Sequence, residues 1–197
     1  MKILLCTATP SEVKSIRKQI KNLDLKTKLP IEYLCTGIGN YETIKTLTKY
    51  LTQKEEQYFI LNIGVCGYLD RKEESIQIAS ITNLHTKKES IVPIFLEFGK
   101  LRNIVSSEHI VDDSKYLEGF EGREIYVDME SRGIEIVAQH FQLPRLLLKV
   151  PVDKVGEETK DFNYQLSLKL LEEHINYEKL MTNILHYIKQ LETKEDS

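Results

Sequence analysis

Short apolar runs and stripes of helical period take turns along this sequence. Tyr58–Ile63 is an almost unbroken apolar run, and Ile3–Ala8 and Leu146–Val150 are similar. Runs of this length, rich in β-branched residues, read as strands buried on both faces. Between them, apolar residues fall three or four positions apart, as on an amphipathic helix. Such alternation predicts an α/β fold, with helices packed on a sheet that is largely parallel.

The first strand-to-helix junction is the clearest. After Ile3–Ala8, the stretch Thr9-Pro10-Ser11-Glu12 carries two helix-start signals, Pro at the first helical position and a Thr-x-x-Glu capping box. Val13, Ile16, Ile20 and Leu23 supply the buried stripe of that helix. Pro30 precedes a second strand, Ile31–Thr36, which ends at Gly37-Ile38-Gly39-Asn40. A helix from Tyr41 to about Leu51 follows, with Ile44, Leu47 and Leu51 on one face. Tyr58–Ile63 ends at what reads as a glycine turn, Gly64-Val65-Cys66-Gly67. Ile76–Leu84, Ile91–Phe98 and Asn103–Ser106 are expected strands. Ile125–Val127 is expected to feed a helix from about Met129 to Phe141, with Ile134, Val137 and Phe141 inward. Beyond Asn163 the stripe Leu166, Leu171, Ile175, Leu180, Ile184, Ile188 predicts one long helix or a broken pair, and Lys194–Ser197 a solvated tail. No repeat or linker interrupts the pattern, so a single domain over 1–197 is expected.

Composition narrows the class. Hydrophobic residues are 41% and charged ones 29% of 197, which excludes a disordered chain. A formal charge of −3 gives no global attraction for nucleic acid or an anionic membrane. No apolar run approaches the ~20 residues of a spanning helix, and Ile3-Leu4-Leu5-Cys6 is too short for a signal-peptide core. Cys6, Cys35 and Cys66 are scattered and include no CxxC, which fits buried thiols in a reducing, cytoplasmic setting.

In open α/β sheets, ligands lie beyond the carboxyl ends of the strands. That rule nominates Ala8–Glu12, Gly37–Asn40, Gly64–Gly67 and the turn after Leu146–Val150 that carries Asp153. Neither glycine pair completes a dinucleotide fingerprint, and no Gly-Lys-Ser/Thr occurs, so no P-loop is present. Glu12, Glu130 and Asp153 stand out by position. Each also has a structural reading: Glu12 in the capping box, Glu130 at a helix amino terminus, Asp153 at a turn. Converging on one cleft, they suit a reaction through an oxocarbenium-like state. His85, His109, His140, His174 and His186 show no metal spacing, and no metal or other cofactor is implied. Cys66 has no basic neighbour in sequence to make it a nucleophile. Lys14, Arg17, Lys18 and Lys21 form a solvated helix face, and Tyr164, Tyr177 and Tyr187 read as helix-packing residues.

The order of these segments resembles the nucleoside phosphorylase and nucleosidase superfamily, methylthioadenosine/S-adenosylhomocysteine nucleosidase above all. The resemblance rests on Met1–Ala8 with Glu12-Val13, on Thr36-Gly37-Ile38-Gly39-Asn40, and on Asn62-Ile63-Gly64-Val65-Cys66-Gly67. It is carried furthest by Val127-Asp128-Met129-Glu130-Ser131, followed by Leu143-Pro144 and Leu148-Lys149-Val150-Pro151-Val152-Asp153. It implies a three-layer α/β/α sandwich around a mixed, partly barrel-like sheet. Glu12 would then orient or activate the attacking water, and Glu130 would accept the ribose hydroxyls while Met129 packs on the sugar. Asp153 would protonate or hydrogen-bond the purine at N7. Gly67, Lys149 and the segment Ser107-Glu108-His109-Ile110, with His109 and Ile110 at the base, would complete the substrate pocket. A carboxyl that donates near neutral pH needs a raised pKa, which burial supplies.

The sequence departs from that pattern at several places. Val65 stands where nucleosidases often carry Ser, Lys149 replaces Arg, and Val152 replaces the Ser before the aspartate, which would leave Asp153 short of a partner. Glu108 and His109 stand for a common Asp and a common aromatic, and the stretch from Ile81 to Asn103 is shorter than usual. Phosphorylases of the superfamily bind phosphate with arginines, whereas this chain has Glu12 and Asn62 at those places, so water is the expected nucleophile. The expected activity is hydrolysis of a purine nucleoside. Alternatives are a nucleoside-binding or scaffold member without turnover, and a phosphorylase with an altered anion site. The resemblance implies a homodimer or larger assembly.

Overall fold

The computed structural model describes residues 1–23, 30–120 and 124–195. β1 (Lys2–Thr7) lies between β2 (Ile31–Cys35) and β3 (Tyr58–Tyr68), parallel to both. β3 also runs parallel to β8 (Arg145–Lys154), and β8 is antiparallel to β4 (Ile76–Asn83). β4 runs parallel to β6 (Lys100–Ser106), β6 parallel to β7 (Tyr126–Asp128), and β7 returns antiparallel to the far end of β3. The ladder β3-β8-β4-β6-β7 therefore closes on itself as a small barrel. β1 and β2 extend from it on β3, and β5 (Glu89–Ile91) flanks β4.

Helices cover both faces of this mixed sheet. α1 (Pro10–Lys21), α5 (Tyr164–His174) and α6 (Tyr177–Glu195) pack on one side, and α2 (Asn40–Leu51) and α3 (Ser131–His140) on the other, while the single turn α4 (Glu157–Lys160) follows β8. Strand parity sorts the core between them. Ile3, Leu5, Phe59, Leu61, Ile63, Leu146, Leu148 and Val150 face α1, α5 and α6. Leu4, Cys6, Tyr58, Ile60 and Leu147 face α2 and α3. Lys149 shares the parity of Leu147, which places a buried ammonium on the face of β8 turned toward α2 and α3. The three-layer α/β/α arrangement is the expected one.

The capping box of α1 forms as read: the Thr9 hydroxyl accepts from the Glu12 N–H, and the Glu12 carboxylate accepts from the Thr9 N–H. Deleting such a cap costs about 1 kcal/mol. α3 packs unusually close to α2, because a Cβ on Gly133 would stand 2.8 Å from the Asn40 carbonyl oxygen. Asn40 fills this junction. Its side chain accepts from the Gly133 N–H at 2.7 Å and donates to the Ser107 carbonyl at 3.1 Å, tying α2, α3 and the end of β6 together.

Several expectations change. Gly64–Gly67 is not a turn, because β3 continues through it to Tyr68, paired with β8 and then β7. Asp153 likewise lies inside β8 rather than in a turn after it. The register slips between Cys66 and Gly67, so Val152 is the extra residue of a bulge. Barrel closure supplies the non-local ladder that outweighs the local turn preference of glycine. Only Glu89–Ile91 is strand in the Ile91–Phe98 region, and the rest is irregular. Gln77 ties that segment down, its side chain accepting from the Phe98 N–H and donating to the Leu96 carbonyl. The carboxyl-terminal stripe is a broken pair, α5 and α6, with Asn176 accepting from the Lys179 N–H. The expected tail begins inside α6, and residues 196–197 lie outside the described ones.

Candidate active site

A cavity of about 300 Å³ opens where β1, β3, β7 and β8 end. Each residue singled out from the sequence lines it: Glu12, Gly67, His109, Ile110, Met129, Glu130, Lys149 and Asp153. They come from five separate parts of the chain, and the fold brings them together.

Lys149 is the electrostatic centre. It is 1% exposed, and its Nζ lies 2.9 Å from Asp128 Oδ2 and 4.0 Å from Glu130 Oε2. Asp128 Oδ2 also accepts from the Ser131 N–H and hydroxyl, at 2.9 and 2.6 Å, so Asp128 caps α3 while it holds the ammonium. Burial opposes the Lys149 charge, but Asp128 and Glu130 prevail and hold its pKa above the ordinary lysine value. Breaking such a pair strands a buried charge.

Glu130 occupies the cap position of α3 yet makes no cap bond with its side chain. It reaches instead to α2, where Oε1 accepts from the Gly39 N–H at 3.0 Å. Gly39 has φ 92°, a conformation that favours glycine, so this donor is aimed by a residue with no side chain to strain. Burial raises the Glu130 carboxyl to about 7; Asp128 and Glu12 push the same way, and Lys149 and the Gly39 N–H oppose. Glu12 is also shifted up, first by burial, with the Thr9 hydrogen bonds and Lys149 opposing. Glu12, Asp128 and Glu130 thus share one ammonium, and burial disfavours the charged form of Glu12 and Glu130.

Gly64 lies between these groups: a Cβ there would stand 3.2 Å from Lys149 Nζ and 3.9 Å from Glu12 Oε1. The glycine read as a turn residue is thus the floor of the site. Asp153 is not left without a partner by Val152, because the Thr159 hydroxyl donates to its Oδ2 at 2.6 Å. His109 is exposed at the rim, its backbone N–H donating to the Ser107 hydroxyl and its ring 6.2 Å from that of His85. Ile110 at 66% and Ile38 at 60% exposure form the mouth with Phe162.

Sequence reasoning missed Asp128, Thr159 and Tyr164. Asp128 had a local signal, an Asp three residues before Ser at a helix start. Tyr164 had none, since it lines the cavity from α5 and meets Thr9 across 155 positions.

The chain has the fold of solved methylthioadenosine/S-adenosylhomocysteine nucleosidases and of a futalosine hydrolase. Three solved structures illustrate it. The Streptococcus pneumoniae MTA/SAH nucleosidase in complex with 8-aminoadenine is 15% identical with a TM-score of 0.71, covering 96% of this chain and 99% of that one. The Neisseria meningitidis 5′-methylthioadenosine/S-adenosylhomocysteine nucleosidase in complex with methylthio-immucillin-A is 13% identical, with TM-score 0.71 and coverage of 88% and 94%. A futalosine hydrolase mutant of Helicobacter pylori is 16% identical, with TM-score 0.69 and coverage of 90% and 99%. No protein-family model matches the sequence, and no curated protein does. Among the described residues no helix is long and apolar enough to cross a membrane.

Proposed function

We propose that this chain hydrolyses the N-glycosidic bond of a purine nucleoside, of the methylthioadenosine or S-adenosylhomocysteine kind, and releases the free base. The observation that carries this reading is the charge of the cavity wall. Glu12, Asp128, Glu130 and Asp153 line it, and the one ammonium among them, Lys149, is already engaged by Asp128. Such a wall disfavours phosphate as the attacking group. It suits a neutral water and a sugar ring that becomes positively charged as the bond breaks.

In this reading Glu12 takes a proton from water as its oxygen bonds to C1′. The C1′–N9 bond breaks and its electron pair leaves with the purine, which Asp153 protonates or hydrogen-bonds at N7. Thr159 fixes the Asp153 carboxyl. Glu130 accepts the ribose hydroxyls, Met129 packs on the sugar, and Gly67, His109 and Ile110 border the base. Lys149 holds Asp128 and Glu130 in register and lowers the cost of keeping Glu12 ionised. The proposal covers one domain over 1–197, acting in the cytoplasm as a homodimer or larger assembly. Light scattering should then give at least twice the 22.9 kDa chain mass.

The test is base release by chromatography from methylthioadenosine, S-adenosylhomocysteine, adenosine, inosine and futalosine, with and without phosphate. Free base without phosphate, lost in Asp153→Asn and Glu12→Gln, is the expected result. Release that requires phosphate would make the chain a phosphorylase. Val65 and Val152, apolar where a nucleosidase often has Ser, favour a second reading, a nucleoside-binding or scaffold member. Nucleoside-induced thermal stabilisation with no release from any substrate would establish the binding member.

A further inference from the structure

Thr9 has one hydroxyl proton and sits among three partners. Its Oγ1 is 2.9 Å from Glu12 Oε2, 3.3 Å from the Glu12 N–H and 2.7 Å from the Tyr164 hydroxyl. An ionised Glu12 only accepts, so the Thr9 proton goes to Oε2. The Glu12 N–H is a donor and takes one Thr9 lone pair. The remaining lone pair faces Tyr164, which must therefore donate. The chain of bonds runs Tyr164 to Thr9 to Glu12, with its direction fixed throughout.

We propose that Tyr164 is a positioning residue for Glu12: by donating to the remaining lone pair of Thr9 it strengthens the hydrogen bond that Thr9 donates to Glu12 Oε2, with Oε1 on the side of Gly64. This rests on the reading of Glu12 as the base that activates water. The Thr9 N–H also binds Oε2, at 2.8 Å, so the cap of α1 holds one carboxylate oxygen while the other lies beside Gly64. Tyr164 is the first residue of α5, whose own cap is Asn163, and α5 is docked on α1 again by the Ser15 hydroxyl donating to Glu172 at 2.7 Å. The hydroxyl is thus delivered by a helix anchored at two points.

The other ionisable groups around Glu12 are Lys149 on β8, Glu130 at the start of α3 and Tyr177 on α6. Lys149 favours the carboxylate and Glu130 opposes it, and neither touches Thr9. A hydroxyl that accepts one hydrogen bond donates its own more strongly, so removing the Tyr164 hydroxyl makes Thr9 a weaker donor and weakens the hydrogen bond that favours ionised Glu12. Glu12 then holds its proton to higher pH. Because the carboxylate is the working form, the acid limb of the rate profile moves upward.

Tyr164→Phe keeps the ring and removes the donor. Thr9→Val removes both the proton and the acceptor, and Thr9→Ser keeps both. Two readouts apply to each, with folding checked by circular dichroism. One is kcat and KM for base release across pH. The other is the titration of the Glu12 carboxyl by NMR on glutamate-labelled protein, assigned with Glu12→Gln, which needs no turnover. Tyr164→Phe and Thr9→Val should raise the Glu12 midpoint, whereas Thr9→Ser should match the parent. In Tyr164→Phe, kcat near neutral pH should fall roughly three- to tenfold with KM little changed, the effect of losing one neutral hydrogen bond. An unchanged Glu12 midpoint in Tyr164→Phe would overturn the proposal whatever the rates do. If the parent protein releases no base, the hydrolase reading fails, and the titration still decides whether the relay exists.

Discussion

Burial raises the Glu130 carboxyl to about 7, against 4.5 for a free glutamate. Between those values Glu130 is protonated in the folded chain and ionised in the unfolded one, so its contribution to stability falls as pH rises through that window and levels off above it. Glu130→Gln should flatten that fall, and should stabilise the protein more at pH 8 than at pH 5 in urea titrations. Lys149→Met acts in the opposite sense. It leaves Asp128 without its ammonium, and a loss of about 3–5 kcal/mol is expected at neutral pH. The same substitution should cost less at acid pH, where the neighbouring carboxyls are neutral. Glu130 and Lys149 were singled out in the motifs Val127–Ser131 and Leu148–Asp153, whereas Asp128 was passed over as a site residue. Their mutual distances were not legible, since Lys149 and Asp128 come from different strands.

Elements meet at glycines that sequence pattern alone misplaces. Gly133 lies in the first turn of α3, where it lowers helix propensity, and its reason is the 2.8 Å approach to the Asn40 carbonyl. Gly133→Ala should gain propensity yet lose about 1–3 kcal/mol through forced separation of α2 and α3, measurable by chemical denaturation. That separation would also move the Gly39 N–H away from Glu130, so any base release should fall as well. Helix starts were legible in this chain because caps are local: Thr9 and Glu12 satisfy each other within one turn. The path of β3 past Gly64 was not, because its partners on β7 and β8 are roughly 60 to 90 positions away. Ile91–Phe98 failed for a related reason: its apolar residues read as a strand, but the segment is irregular and fastened by the Gln77 side chain.

The whole molecule is organised by closure of the barrel. β3 takes part in ladders with β1, β7 and β8, and β8 also pairs β4. Backbone amides in the middle of β3 and β8 should therefore exchange most slowly, near the limit of global unfolding. Those of residues 92–99 and of the 107–113 rim should exchange orders of magnitude faster. Nucleoside binding should slow exchange at the rim first, since His109 and Ile110 stand exposed at the mouth. If β8 exchanged as fast as the rim, the barrel would not be the cooperative unit.

By itself the sequence determined the alternation of strands and helices, the caps, the two-faced core and three of the acidic residues of the candidate site, Glu12, Glu130 and Asp153. All of these are written in short periods and neighbouring side chains, where a few residues contain the whole interaction. Only the tertiary structure decided that β3 and β8 run on past their glycine and bulge, that one buried ammonium serves three carboxyls, and that Tyr164 completes the hydrogen bonding of Glu12. Those depend on pairings between distant segments, whose energy appears only when the barrel closes.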